Sequence, residues 1–319
     1  MEIGYIRTPL GRSKIFRFGS GPREILIISG IHGNEHNSIA TTRRLVVYLS
    51  KTHKNMFEGR ITIIPVANPN AFKYKQRTSI IDGHDLNRVF PGDAERSATY
   101  RHAAAIWEIA QSVDYIVDLH TCGYCQPYIL TLYKEYPEVK KFVEDLPPEN
   151  MVESIGLQGQ LFVEALKIGI KAAIIELPQD GLKLNDEIIS SMSRKLLQSL
   201  INIEFLIGEK TKYNHKYFGT LVRHHADSSG IFTPKAKLGG YVGKGELLGR
   251  IGKILIKAKS GGKIISIIPK MFIIAGELIA SIAPPVYPKE EHKSVSPRIS
   301  EGSIIILRFQ PNGSSLESP

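Results

Sequence analysis

The sequence predicts an α/β fold, a mixed sheet flanked by helices, followed by a smaller all-β domain of barrel-sandwich type. Three observations carry this. Short apolar runs alternate with segments of helical period as far as about residue 205, the pattern of strands and helices layered together. The first strong run, Ile25 to Ser29, ends at Gly30 and releases His32-Gly33-Asn34-Glu35 at the carboxyl edge of a sheet, where open α/β folds keep their sites. Beyond Ile207 the helical period disappears, and Gly-rich turns separate short Ile/Val/Leu runs.

Taken in order, residues 5–18 alternate weakly and fit an edge hairpin. Ile25–Ser29 is a buried strand. From Asn37 to Lys51, Ile39, Leu45, Val46 and Leu49 recur at helical spacing. Ile61–Val66 is a second buried strand, broken by Asn68-Pro69-Asn70. A helix is expected over residues 94–111, then strands at Tyr115–His120 and Tyr128–Leu132. Pro147-Pro148 marks a surface loop. Ala172–Leu177 is a short strand stopped by Pro178, and Asn185 caps a long helix reaching Phe205.

These readings divide the chain into a catalytic α/β part at residues 1–206, a β domain at 207–285, and a tail at 286–319. The β domain contains a repeat: Gly245-Glu246-Leu247-Leu248-Gly249-Arg250-Ile251 aligns with Gly276-Glu277-Leu278-Ile279-Ala280-Ser281-Ile282, 31 residues later. Two similar units suggest a pseudo-twofold sandwich like the lipoyl and biotinyl carrier domains, with Lys253 near a hairpin tip. No carrier signature surrounds that lysine. The tail, rich in Pro, Ser and charge, is expected to be partly disordered, with Ile304–Leu307 docking as an edge strand.

Lys and Arg number 41 against 31 Asp and Glu, a formal charge of +10. Such a balance suits a small anionic ligand, a nucleic acid or an acidic surface. The basic residues are dispersed, without a block or an aromatic platform, which argues for a solvated surface and against nucleic acid. No run approaches the ~20 apolar residues that cross a bilayer, and the amino terminus lacks a signal-peptide core, so no membrane association and a cytoplasmic location are expected. A homo-oligomer is compatible with the sequence. The two cysteines, Cys122 and Cys125, are expected to be free thiols in such a compartment.

The chemistry lies between residues 32 and 176. An imidazole and a carboxylate three residues apart can close on one metal ion if a third ligand arrives from elsewhere. His120, at the end of its own apolar run, is that candidate. His32-Gly33-Asn34-Glu35-His36 also fits a helical His-x-x-Glu-His zinc motif, but Gly30 and Gly33 oppose a helix there. His32 and Glu35 are therefore the ligands read here, and His36 starts the following helix. The stretch from Arg77 to Gly92 has no periodicity and carries Asp85, Asn87 and Arg88. It reads as a binding loop in which Arg forks match a carboxylate and Asp85 fixes a histidine tautomer.

His-Gly-Asn-Glu after a strand, Asp-Leu-Asn-Arg before Phe-Pro-Gly, Asp-Leu-His at the end of a later strand, and Ile-Glu-Leu-Pro beyond it resemble the succinylglutamate desuccinylase/aspartoacylase family of the zinc carboxypeptidase superfamily. The resemblance runs over residues 25–205 and extends to the trailing β domain. It implies a zinc-carboxypeptidase-like sheet and one Zn2+ per chain on His32, Glu35 and His120. It implies that Asn87 and Arg88 bind the substrate carboxylate, that Glu176 is the base, that Arg77 polarises the scissile carbonyl, and that Asp85 supports a ligand histidine. No motif marks the family's substrate-binding tyrosine. The activity implied is zinc-dependent removal of an acyl group, acetyl, succinyl or similar, from a small anionic N-acyl amino acid or related amine. A metallocarboxypeptidase and a non-catalytic binding protein are the alternatives, and a β domain packed over the cleft would disfavour the first.

Overall fold

A mixed sheet of nine strands forms the backbone of the computed structural model, which describes residues 1–286. The expectations for the tail, Ile304–Leu307 included, lie outside those residues. The edge hairpin is β1 (Glu2–Thr8) and β2 (Gly11–Phe18), paired antiparallel. β3 (Glu24–Ser29) leads through the His32 turn into α1 (His36–Lys51), which buries Ile39, Leu45, Val46 and Leu49. After β4 (Arg60–Ile64), Asn68 does more than break the strand. Its side chain accepts the Ala71 N–H at 3.0 Å and starts α2 (Pro69–Tyr74), with proline at the first helical position.

α3 (Ala98–Ala110) starts later than the expected residue 94, because Asp82 captures both the Thr99 N–H (2.7 Å) and its hydroxyl (2.6 Å) and fixes the first turn there. β5 (Tyr115–Thr121), β6 (Tyr128–Thr131), α4 (Val139–Glu144), β7 (Asn150–Glu153), α5 (Leu161–Lys167) and β8 (Lys171–Leu177) follow. α6 (Asp186–Asn202) is capped by Asn185, which accepts from Ile188 N at 3.1 Å, and packs on α1. β9 (Lys216–Phe218) closes the sheet, whose order is β1-β2-β4-β3-β5-β8-β6-β7-β9.

The central block β4-β3-β5-β8 is parallel and buried on both faces, which is why its strands read as unbroken apolar runs. Its carboxyl ends all open on one edge of the sheet. The large sheet runs past the composition change at Ile207, because β9 pairs with β7 before the smaller sheets begin.

Those smaller sheets are built from β10 (Val222–His225), β11 (Gly230–Pro234), β12 (Tyr241–Val242), β13 (Leu247–Ile251), β14 (Ile254–Lys257), β15 (Gly262–Ile267), β16 (Met271–Ile273) and β17 (Leu278–Ala283). One has the order β10-β17-β15-β12, the other β14-β13-β11-β16, and their apolar faces share one core. The repeat is structural as well. Glu246 accepts the Gly243 N–H at 2.8 Å and Glu277 the Ile274 N–H at 2.7 Å, while the Gly245 N–H donates to Ala258 O and the Gly276 N–H to Ala226 O, both at 2.8 Å. Lys253 lies in the turn between β13 and β14.

Two expectations are corrected. Pro147 and Pro148 are buried, not on a surface loop, and proline can be enclosed there without stranding an N–H donor. Cys122 and Cys125 are joined as a disulfide rather than free. The Thr121–Gln126 segment folds back through Gly123 (φ +70°) and brings their Cα atoms to 6.1 Å. That segment bonds to the β domain through Gln126 N to Ile265 O at 2.8 Å and Ile267 N to Tyr124 O at 3.2 Å. Residues 1–286 form one compact unit.

Candidate metal centre and active site

Gly33 explains the tight exit from β3. A Cβ there would lie 1.9 Å from the Ala71 carbonyl carbon of α2, so only glycine lets the turn pass under that helix. The turn delivers His32 and Glu35, both buried, and Glu35 stands at the amino-terminal boundary of α1. His120 comes from the end of β5, one strand over.

The three side chains converge. His32 Nδ1 lies 2.7 Å from Glu35 Oε1, His120 Nδ1 lies 3.1 Å from Glu35 Oε2, and the two Nδ1 atoms are 3.2 Å apart. One donor atom from each lies within 4.8 Å of the others. The Thr121 N–H donates to Glu35 Oε2 at 3.1 Å and orients the carboxylate. Behind the trio, His32 Nε2 meets Asp85 Oδ1 at 3.0 Å and His120 Nε2 meets Asp118 Oδ2 at 2.8 Å. Each imidazole thus turns Nδ1 inward, with its other nitrogen held by a carboxylate, the arrangement that fixes a ligand tautomer.

The electrostatics favour a cation at the same place. Burial opposes charge on His32 and His120, yet Glu35 with Asp85, and Asp118 with Glu35, raise both imidazoles above their ordinary value. Burial likewise pushes Glu35 up, and the two imidazoles overcome it and hold the carboxyl far down. Asp85 is held low by His32 and Arg77 against its own burial. A pocket that stabilises protons between two imidazoles and a carboxylate fits a metal ion in their stead. The trio could hold one such ion. His36 takes no part, since it opens α1 and its Nδ1 lies 3.3 Å from Leu182 O.

Glu176 sits on β8 directly opposite His120 in register, and Tyr128 on β6 is opposite Glu176. The Glu176 Oε2 atom is buried and has no hydrogen-bond partner among the described residues. Burial pushes this carboxyl up to about 7. Arg77 lies at the rim, paired to Asp85 through Nε (3.1 Å) and Nη2 (2.9 Å), with Nη1 3.4 Å from His32 Nδ1.

The short 3-10 turn Leu86–Arg88 begins at Asp85, which accepts the Asn87 N–H at 2.9 Å. Asn87 is buried, its Oδ1 accepting from Leu161 N at 2.9 Å and its Nδ2 3.4 Å from His120 Nε2. Arg88 Nη1 donates to Asn87 O at 2.7 Å. Gly159 (φ +79°) makes this possible, because a Cβ there would stand 2.1 Å from the Arg88 carbonyl oxygen.

Glu35, Arg77, Asn87, Arg88, His120 and Glu176 all line one cavity of about 300 Å³. Leu221, Arg223, Ile265, Ser266, Leu278 and Ser281 of the carboxyl-terminal segment wall its other side. Three further residues belong to the site. Asp118 was legible, since residues two apart on a strand share a face and Asp118 precedes His120 by two. Tyr128, buried against Glu176, and Arg223, on β10, carry no local signal.

Comparison with known proteins follows the same lines. Residues 22–203 match the model of the succinylglutamate desuccinylase/aspartoacylase catalytic domain. An N-alpha-acetyl-L-2,4-diaminobutyric acid deacetylase of Halomonas elongata is 34% identical over 135 residues, and that match spans 39% of this chain and 38% of the relative. A succinylglutamate desuccinylase/aspartoacylase from Rhodobacter sphaeroides superposes with a TM-score of 0.78 at 21% identity, covering 90% of this chain and 96% of the other. An aspartoacylase family protein from Mesorhizobium loti gives 0.74 at 25% identity, covering 90% and 95%.

Proposed function

This chain belongs to the succinylglutamate desuccinylase/aspartoacylase family, and from that premise we propose that it is a zinc-dependent deacylase of small N-acyl amino acids. The observation that carries the reading is the convergence of His32, Glu35 and His120 within 4.8 Å, with Glu176 in register beside His120. His32 Nδ1, His120 Nδ1 and a Glu35 oxygen would hold the zinc. When bound, it supplies Lewis acidity and a water of lowered pKa.

The chain's own residues supply the rest. Glu176, with an open carboxylate oxygen and a pKa raised by burial, accepts the proton of the attacking water and returns it to the departing amine. Arg77, steadied by Asp85, directs its guanidinium at the oxygen on which negative charge develops. Asn87 and Arg88 hold the substrate's carboxylate and thereby the position of the amide. The β domain's wall leaves a space suited to a small molecule rather than a polypeptide, which favours a deacylase over a carboxypeptidase.

The named Halomonas relative is a deacetylase, which supports acetyl as the first acyl group to try. The test is a panel of N-acetyl and N-succinyl amino acids, assayed beside short peptides, with zinc restored after chelation. Hydrolysis of the acyl amino acids alone, lost to chelator and recovered with zinc, is expected. Peptide hydrolysis without deacylation would overturn the reading.

A further inference from the structure

The segment Thr121–Gln126 ties together three parts of the site that are distant in the chain. The Thr121 N–H donates to Glu35 Oε2 at 3.1 Å, and the Cys122 N–H donates to Leu177 O, one residue beyond Glu176, at 3.0 Å. Gly123 O accepts from Gln179 N at 2.9 Å. Two further bonds cross to β15, Gln126 N to Ile265 O at 2.8 Å and Ile267 N to Tyr124 O at 3.2 Å, on either side of an isolated bridge between Cys125 and Ser266. The β15 residues Ile265 and Ser266 wall the catalytic cavity.

Little inside the segment keeps it in this shape. Its internal backbone bond runs from Cys125 N to Gly123 O at 3.0 Å, and a Cβ built on Gly123 (φ +70°) would meet nothing within 4 Å, so the tip of the turn is unpacked. A turn with so few contacts opens readily unless something else closes it. Here the Cys122–Cys125 disulfide closes it, with the Cα atoms 6.1 Å apart. Both cysteines border open space. Cys122 is half-buried and lines the catalytic cavity, while Cys125, though buried, lines a neighbouring groove of about 730 Å³. A small dithiol can therefore reach the bond, and access is one condition for exchange.

We propose that Cys122 and Cys125 form a redox clamp on the site. Oxidised, the pair holds the Glu35 carboxylate and the β15 wall in one geometry; reduced, it lets both relax. Attack of a dithiol's thiolate on the Cys122 sulfur breaks the S–S bond and expels the Cys125 thiolate, which takes up a proton. The dithiol's second thiolate then attacks its own sulfur in the mixed disulfide and releases Cys122, which is protonated in turn. Two electrons and two protons pass to the protein, and the dithiol leaves as a cyclic disulfide. The cysteines are positioning residues, acting through Thr121 on Glu35 and through Tyr124 and Gln126 on the wall that carries Ser266. The clamp rests on the deacylase reading only for its kinetic readout.

The test compares the full chain oxidised and reduced, the latter treated with a phosphine that is removed by anaerobic desalting before zinc is added. A gain of two hydrogen masses verifies the reduction. Reduction should weaken zinc affinity by about tenfold, the scale of losing one support behind a metal ligand. Amide hydrogen exchange at Thr121, Gln126 and Ile267 should quicken. For an N-acyl amino acid, KM should rise by a larger factor than kcat falls, a split that a general loss of stability would not produce. Reoxidation should restore all three readouts, and the double variant Cys122→Ser/Cys125→Ser should behave as the reduced protein and ignore the phosphine. Equal zinc affinity and equal exchange in the two forms, or a folded protein whose disulfide resists the phosphine, overturns the clamp. If zinc affinity and exchange respond while neither form hydrolyses any acyl amino acid, the deacylase reading falls and the clamp stands.

Discussion

His120 and Glu176 occupy the same row of the sheet, on adjacent parallel strands, so the backbone itself sets the spacing between an imidazole of the candidate metal trio and a carboxylate whose Oε2 has no hydrogen-bond partner among the described residues. Because β5 and β8 are buried on both faces, neither residue can drift without disturbing the core.

Under the proposed mechanism, replacing Glu176 by Gln removes the proton acceptor and leaves His32, Glu35 and His120 in place. Turnover should fall by about a thousandfold or more, with zinc content unchanged. Steady-state kinetics alongside metal analysis of the same sample checks both halves, and a variant that keeps wild-type kcat would refute the role.

Asp118→Ala takes away the carboxylate that fixes His120 Nε2 at 2.8 Å. Zinc affinity should weaken by about 10- to 100-fold, measured by competition with a chromophoric chelator. Asp118→Asn should lie between Ala and wild type, since an amide oxygen can still accept the Nε2 proton.

Gly33→Ala places a methyl against the backbone of α2, 1.9 Å from the Ala71 carbonyl carbon. A loss of about 1–3 kcal/mol in stability is expected, with weaker metal binding because His32 and Glu35 flank the displaced residue. Denaturant unfolding of the metal-free variant separates the first effect from the second.

His102 is buried against Thr8 Oγ1 (2.6 Å), Ser13 Oγ (3.2 Å) and Ala67 O (2.5 Å), and burial lowers its pKa to about 4 from 6.5. The native state therefore refuses a proton that the unfolded chain accepts. Stability from this group is complete above pH 6.5 and is lost as the pH falls toward 4, by about 3 kcal/mol in all. Between pH 7.5 and 4.5, His102→Gln should show a shallower decline in unfolding free energy than wild type.

The sequence made much of this visible. Helix α1 and strands β3, β4, β5 and β8 carry strong periodic or continuous apolar signals, and His32, Glu35, His120 and Asp85 fall at strand ends or in a loop where such residues stand out. Asp118 is readable from its spacing of two residues to His120 on the same strand. Tyr128 and Arg223 were not readable, because β6 and β10 reach the cavity only through tertiary pairing with β8 and β17. The burial of Pro147 and Pro148 has the same origin, since nothing nearby in the chain announces that β7 will be flanked by β6 and β9.

Strand β9 is drawn from beyond the composition change yet completes the catalytic half's own sheet, while the Cys122–Cys125 segment is hydrogen-bonded to β15. Severing the gene after codon 206 would accordingly not liberate a minimal enzyme. It would strip the outer partner from β7, leave a raw backbone edge open to self-association, and unroof the cavity on the side where Leu221, Arg223 and Ser281 stand.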